Sequence, residues 1–222
     1  MATTTKPRVV LVSLEFEAFF DSTYEPLIEK ISAKARMQRA KTPGAATRLL
    51  NDDPAPQAVL ITDGGVANQP RFAPVWDAIL AYVRSGGVAV IMGHFPTFTR
   101  PNTIKPLFAK AGLPWASGSY HRTTTTLNAN ATGVGAELAA KLPEKYSQKA
   151  LNLDNVAAGD AWYASTPDSR IESHVFPPTN AHTVGEAASA LATVGGGKLG
   201  YLGDVNNEEG SVDVVLAMCG LL

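Results

Sequence analysis

The sequence predicts an α/β protein with a flavodoxin-like, doubly wound, mostly parallel sheet. Three observations carry this. The segment Ala58 to Phe98 holds two short apolar runs around an amphipathic helix, the pattern of a βαβ unit. Arg8 to Leu14 (RVVLVSL) is a continuous apolar run of the kind found in the middle of a parallel sheet. Ala188 to Val194 and Lys198 to Leu202 flank Gly195-Gly196-Gly197 and read as a late β-hairpin.

The central unit is read as follows. AVLITDGG is a strand ending in Asp63-Gly64-Gly65. Phe72, Val75, Trp76, Ile79, Leu80 and Val83 form one helical face. Pro70 suits the first turn, and Ser85-Gly86-Gly87 supplies the stop. Val88 to Met92 is the next strand, ending in Gly93-His94.

Upstream, residues 1–7 are expected to be a flexible tail and 8–222 a single α/β domain. Asp21-Ser22-Thr23 is expected to cap a helix with Pro26 in its first turn and Leu27, Ile28, Ile31 and Ala35 inward. Lys30, Lys34, Arg36, Arg39 and Lys41 read as a solvated charged face. A short helix follows over Ala45 to Leu50.

Downstream, Pro96, Pro101 and Pro106 suggest a loop overhanging the sheet edge, with a short helix over Thr103 to Ala111. The threonines of Tyr120 to Leu127 favour an inserted strand. Ala136 to Lys141 reads as a short helix. Ala150 to Val156, Ala161 to Ala164 and Ile171 to Phe176 read as further strands or extended segments. Ser211 is expected to cap a terminal helix with Val212, Val215, Leu216 and Cys219 on one face.

Composition narrows the function. The formal net charge of −1 offers no basic field for nucleic acid or an anionic membrane. One cysteine excludes an internal disulfide and a multi-cysteine zinc site. No run of about twenty apolar residues spans a membrane. The N-terminus lacks the apolar core of a signal peptide, so the expectation is a cytoplasmic protein.

The candidate site lies where open α/β sheets bind ligands, beyond the carboxyl ends of the strands. Glu15, Asp63, His94 and Asp204 each follow a strand and are the candidate catalytic residues. Carboxylates beside an imidazole suit general acid–base chemistry, because burial can push their pKa values apart. Against this stands the habit of aspartates to hold turns and cap helices. Gly64, Gly93, Phe95, His121, Arg122 and Asn206 are candidate substrate contacts, and Arg122 could orient a carboxylate or phosphate. Phe16, Phe19, Phe98, Trp115 and Trp162 could wall a pocket or serve as core. His174 and His182 read as structural or surface residues. The histidines lack metal-ligand spacing, and no Walker or Rossmann glycine pattern occurs, so no metal and no cofactor is expected.

Three motifs carry a resemblance: LAYVRSGGVAVIMGHF, ATVGGGKLGYLGD and GDVNNEEGSVDVVLAMC. Through them the chain resembles the class I glutamine amidotransferase-like superfamily, and within it the ThuA-like (trehalose-utilisation) branch. It also resembles a group of fungal proteins through SLEFEAFFDSTYEPLIEKI, LITDGG, SYHRTT and GKLGYLGDVN. The superfamily pattern places a cysteine nucleophile where this chain has Gly93-His94-Phe95, and His-x-Glu where it has Asp204-Val205-Asn206. Glutaminase activity is therefore not expected, and Cys219, at helical spacing from Val212 and Leu216, reads as a buried thiol. The resemblance implies a possible homodimer. The functional expectation is a small-molecule hydrolase, lyase or isomerase, with His94 sharing a hydrogen bond with one carboxylate. The alternative is a binding or scaffold protein that has lost the triad and kept the crevice.

Overall fold

The computed structural model describes residues 6–173, 175 and 177–222. Its described strands form one nine-stranded sheet in the order β2-β1-β3-β4-β9-β8-β7-β5-β6. These are β1 (Arg8–Val12), β2 (Arg36–Ala40), β3 (Ala58–Ile61), β4 (Val88–Ile91), β5 (Ala116–Leu127), β6 (Lys145–Asp154), β7 (Ala161–Ala164), β8 (Ser189–Val194) and β9 (Gly197–Leu202). The first five in the sheet order run parallel; the remaining pairs are antiparallel. The order 2-1-3-4 followed by a final parallel strand is the flavodoxin-like arrangement, and the late hairpin and inserted strands are present as expected.

The inner parallel strands β3 and β4, and β1 beyond Arg8, are apolar because both faces are covered. On one face Val10, Val12, Val59, Ile61 and Ile91 pack with α3 (Pro43–Leu50), α5 (Ala73–Arg84) and α7 (Pro101–Ala109). On the other, Val9, Leu11, Leu60 and Val90 meet α2 (Glu25–Lys34) and α9 (Glu209–Met218). The short turns α1 (Phe20–Thr23), α4 (Gly65–Asn68), α6 (Phe95–Phe98) and α8 (Gly135–Ala139) complete the helices.

The inserted strands curl back onto the core. Beyond its ladder with β5, β6 donates from Leu151 N to Gly203 O and accepts from Val205 N at Lys149 O, each 3.0 Å. It also exchanges two hydrogen bonds with Ala187, each 2.9 Å. Gly203 is required here: a Cβ would lie 2.2 Å from Leu151 O.

Several expectations are corrected. The basic stretch after residue 35 is not simply a solvated face: Arg36 to Ala40 is the edge strand β2, paired in register with Arg8 to Val12. Arg39 forms an ion pair with Asp21 and stacks its guanidinium 4.8 Å from the Phe16 ring. Charged side chains can occupy an edge strand because they discourage pairing with other chains. Asp21-Ser22-Thr23 lies inside α1 and supplies no side-chain cap to α2. Ser211 lies one turn inside α9, where Glu208 is the N-cap residue. The Pro96–Pro106 region is α6 and α7, since Pro96 and Pro101 occupy tolerated first-turn positions. Of the expected strand 171–176, His174 and Phe176 lie outside the described residues, as do residues 1–5 of the expected tail. Ile171, Glu172 and Ser173 form no strand; Glu172 N donates to Arg122 O, lying along β5. No helix among the described residues is long and apolar enough to cross a membrane.

Candidate functional site

The carboxyl ends of the parallel strands β1, β3 and β4 lie side by side. Ser13 Oγ and Thr62 Oγ1 hydrogen-bond at 2.8 Å and join the ends of β1 and β3. His94 N donates to Thr62 O at 2.9 Å, which brings the turn after β4 alongside. That turn needs Gly93, at φ +70°, where a Cβ would lie 2.8 Å from the Phe20 ring.

Asp63 is buried, and its carboxylate holds this architecture together. Oδ1 accepts from Gly65 N at 2.9 Å, and Oδ2 accepts from Glu15 N at 3.1 Å. Burial pushes its pKa up to about 6, against the lowering effect of these backbone donors and with the Glu15 charge adding to the rise. Glu15 is half-buried beside it, and its Oε1 accepts from Gln69 Nε2 at 2.9 Å. Gly64 is tightly enclosed: a Cβ would lie 2.7 Å from Thr99 Oγ1 and 2.8 Å from Asn68 Nδ2.

Asp204 is likewise buried and likewise holds a turn. Its Oδ1 accepts from Asn206 N at 2.8 Å and its Oδ2 from Glu208 N at 2.7 Å, and Ser211 adds a third hydrogen bond. Burial raises its pKa in spite of these donors. Arg122 reaches the same turn through an ion pair with Glu208, and its other arm donates to Ser147 Oγ at 3.2 Å. Asn206 donates its backbone N–H to this turn, and its amide is 3.4 Å from Glu208 Oε1.

His94 has a different environment from the one expected. It is only 4% exposed, and its ring is surrounded by four aromatic rings. Phe19 lies 4.7 Å away between centroids, Phe20 5.2 Å, Phe98 5.4 Å and Tyr24 5.6 Å. Among the described residues no carboxylate hydrogen-bonds its imidazole. The expected His94–carboxylate hydrogen bond is therefore absent: the nearby aspartates are engaged by backbone N–H groups. Burial lowers the His94 pKa, opposed in part by Glu17, so the ring is held neutral.

Two of these rings reach the surface. Phe19 is 49% exposed and Phe98 48% exposed, with rings 6.5 Å apart and nearly perpendicular. Phe95, by contrast, is fully buried against Tyr201 in the core. Trp115 and Trp162 are also core residues, whereas Phe16 is half-buried under Arg39 and Lys41. Cys219 is buried and its thiol is pushed up to about 12, in keeping with a structural thiol.

His121 faces a second polar group. Glu186 accepts from Ser119 N at 2.9 Å and from Ser119 Oγ, while Asn152 Nδ2 donates to Ser119 Oγ at 3.0 Å. Burial lowers the His121 pKa, and Glu186 acts in the opposite sense. Arg122, the next residue on the strand, takes the other side and braces the Asp204 turn, as strand alternation requires. His182 is half-buried, and its Nδ1 lies 2.9 Å from Ser165 O.

Sequence reasoning missed Tyr24, Gln69, Thr62 and Glu208. Tyr24 follows Phe19 and Phe20 at helical spacing, a signal that one aromatic face turns toward His94. Gln69 carries no local signal, because its partner Glu15 is 54 residues away. No group of three or more His, Cys, Asp or Glu among the described residues has the geometry to hold a metal ion.

No family model matches the chain, and no curated protein matches it. Solved structures do. A ThuA-like protein from Bacteroides uniformis superposes with a TM-score of 0.55 at 10% identity, covering 98% of this chain and 91% of that one. A ThuA-like protein from Parabacteroides merdae gives 0.53 at 12% identity, covering 97% and 89%. A β-galactosidase from Bacillus circulans gives 0.53 at 10% identity; it covers 97% of this chain, which spans 31% of the enzyme. Likeness at such low identity is a statement about architecture, and the architecture is the ThuA-like, flavodoxin-type α/β fold.

Proposed function

We propose that this chain is a small-molecule binding protein, with its ligand held at the crevice mouth between Phe19 and Phe98 over His94. The observation that supports this most directly is the state of the ionisable groups. Asp63 and Asp204 have both carboxylate oxygens engaged by backbone N–H groups, while His94 is boxed by aromatic rings. Carboxylates held this way organise turns rather than move protons. A neutral imidazole still offers one donor and one acceptor to a neutral ligand, and the two half-exposed rings offer apolar faces. Gly93-His94-Phe95 and Asp204-Val205-Asn206, in place of a cysteine and His-x-Glu, fit descent from the class I glutamine amidotransferase-like superfamily with its nucleophile lost. Membership of the fungal group, a cytoplasmic location and a homodimer belong to the same proposal.

A second reading, an acid–base hydrolase, lyase or isomerase, rests on Glu15 and Asp63. Asp63, with a pKa of about 6, can hold a proton near neutral pH, and Glu15 stands beside it. His94 and Asp204 would then shape the crevice around that pair.

Thermal shift of the wild type, His94→Ala and Phe98→Ala against sugars, sugar phosphates, amides and organic acids tests both readings. The binding proposal expects one compound class to raise the wild-type midpoint by mass action, with the response lost in both variants. It fails if nothing shifts the wild type, or if the variants respond equally. Turnover of the stabilising compound, abolished by Glu15→Gln, would establish the second reading instead.

A further inference from the structure

A cavity of about 890 Å³ opens at the amino ends of β1 and β2, walled by Lys6, Arg8, Arg36, Asp52 and Asp53. This is the opposite end of the sheet from Glu15, Asp63 and His94, which follow strand carboxyl ends. Its volume falls in the range of small-molecule sites, roughly 300–1,000 Å³. Arg8 and Arg36 are register partners on adjacent parallel strands. Their side chains therefore leave the same face of the sheet, from backbones roughly 4.8 Å apart. Like charges so placed repel one another. The fold answers that repulsion on one side only. Arg8 is buried, and its guanidinium donates to Asp52 Oδ2 at 2.6 Å, Pro54 O at 2.8 Å and Leu49 O at 3.3 Å. Arg36 is exposed, and no carboxylate among the described residues pairs with it. Lys6 Nζ donates to a neutral acceptor, Ser32 O, at 3.2 Å, so its charge also lacks a counter-ion among the described residues.

The acidic residues differ in the same way. Asp52 is held by Arg8, whereas Asp53 is exposed and forms no ion pair among the described residues. The cavity thus offers two free cations, Lys6 and Arg36, and one free carboxylate, Asp53. Its three basic and two acidic side chains suit a ligand with a single negative charge better than a doubly charged phosphate ester. An arginine fork matches the two oxygens of a carboxylate, and Asp53 can only accept hydrogen bonds while ionised. We infer that this cavity binds a small hydroxy or amino acid, with its carboxylate on Arg36 and Lys6 and its hydroxyl or ammonium on Asp53. Arg8, with its donors already engaged, braces the cavity wall.

Thermal shift at constant ionic strength tests this. The probes are glycolate, lactate, glycine and serine, with acetate, propionate and sulfate as anions lacking the donor group. Each variant is read against its own midpoint without ligand. At least one hydroxy or amino acid should raise the wild-type midpoint by mass action. Arg36→Ala should abolish that response, and Asp53→Asn should reduce it to the level of the matched simple acid. His94→Ala and Phe98→Ala should keep it in full, which separates this cavity from the site proposed above. Without ligand, Arg36→Ala should leave the midpoint unchanged or raise it, because a like charge beside Arg8 is removed. The inference is overturned if no probe acid shifts the wild type, or if Arg36→Ala responds as the wild type does. It is equally overturned if His94→Ala or Phe98→Ala loses the response, or if acetate and sulfate shift the midpoint as far, which would mean an adventitious ion only. A lowered midpoint of unliganded Arg36→Ala would also overturn it, since Arg36 would then serve the fold and not a ligand.

Discussion

The two halves of the sheet are held together by different means. In the parallel half, β3 and β4, and β1 beyond Arg8, are apolar and sandwiched between helices on both faces. In the inserted half, β5 and β6 carry Thr123, Thr125, Gln148 and Asn152 on buried positions; the first three bond to backbone or to each other, and Asn152 donates to Ser119 Oγ. Burial of apolar area needs no particular partner, whereas a buried hydroxyl or amide is neutral at best until its partner is placed. The inner strands of the first half are legible from local pattern. The second depends on contacts far apart in sequence, such as Leu151 with Gly203 and Arg122 with Glu208.

The strongest test of this contrast is Trp76→Ala. Trp76 is buried under α7 and donates Nε1–H to Leu107 O at 3.1 Å. Its truncation should cost about 3–5 kcal/mol in urea unfolding, since it removes a large ring and leaves a cavity. A cost near 1 kcal/mol would mean that the parallel half does not depend on burial as argued.

An intermediate effect is expected from Asp63, a buried ionisable group at the end of the apolar strands. Its pKa is about 6 in the folded protein, against 3.8 ordinarily. Between those values the folded state holds more protons than the unfolded one. This group's contribution to stability is therefore highest below about pH 4 and falls as pH rises through about 6, by on the order of 2–3 kcal/mol. Asp63→Asn should flatten that part of the stability–pH curve. An unchanged slope in the variant would show that Asp63 ionises normally.

The smallest effect belongs to the inserted half. Arg122→Ala removes a half-buried ion pair to Glu208 and the bond to Ser147. A loss of about 1 kcal/mol is expected, partly screened at high salt. Hydrogen exchange should quicken around 204–208 and leave β1 and β3 unchanged. Equal quickening in both halves would erase the distinction.

The sequence by itself determined the doubly wound core. The apolar runs at Arg8, Ala58 and Val88, the α5 face and the Gly195-Gly197 hairpin are local signals, because a strand buried on both faces must be apolar throughout. It also brought Glu15, Asp63, His94 and Asp204 to the carboxyl end of the sheet. It missed β2, whose sequence RMQRA reads as helix surface and becomes a strand only by pairing with β1. Only the tertiary structure decided what each candidate side chain does. Whether an aspartate binds a ligand or a backbone N–H depends on which amides come within 3 Å. Those of Glu15 and Gly65 reach Asp63, and those of Asn206 and Glu208 reach Asp204. In the same way His94 met four aromatic rings rather than a carboxylate, because α1, α2 and α6 converge on the end of β4. Hydrophobic burial is non-directional and can be read from pattern; a hydrogen bond is directional and is set by atoms distant in sequence.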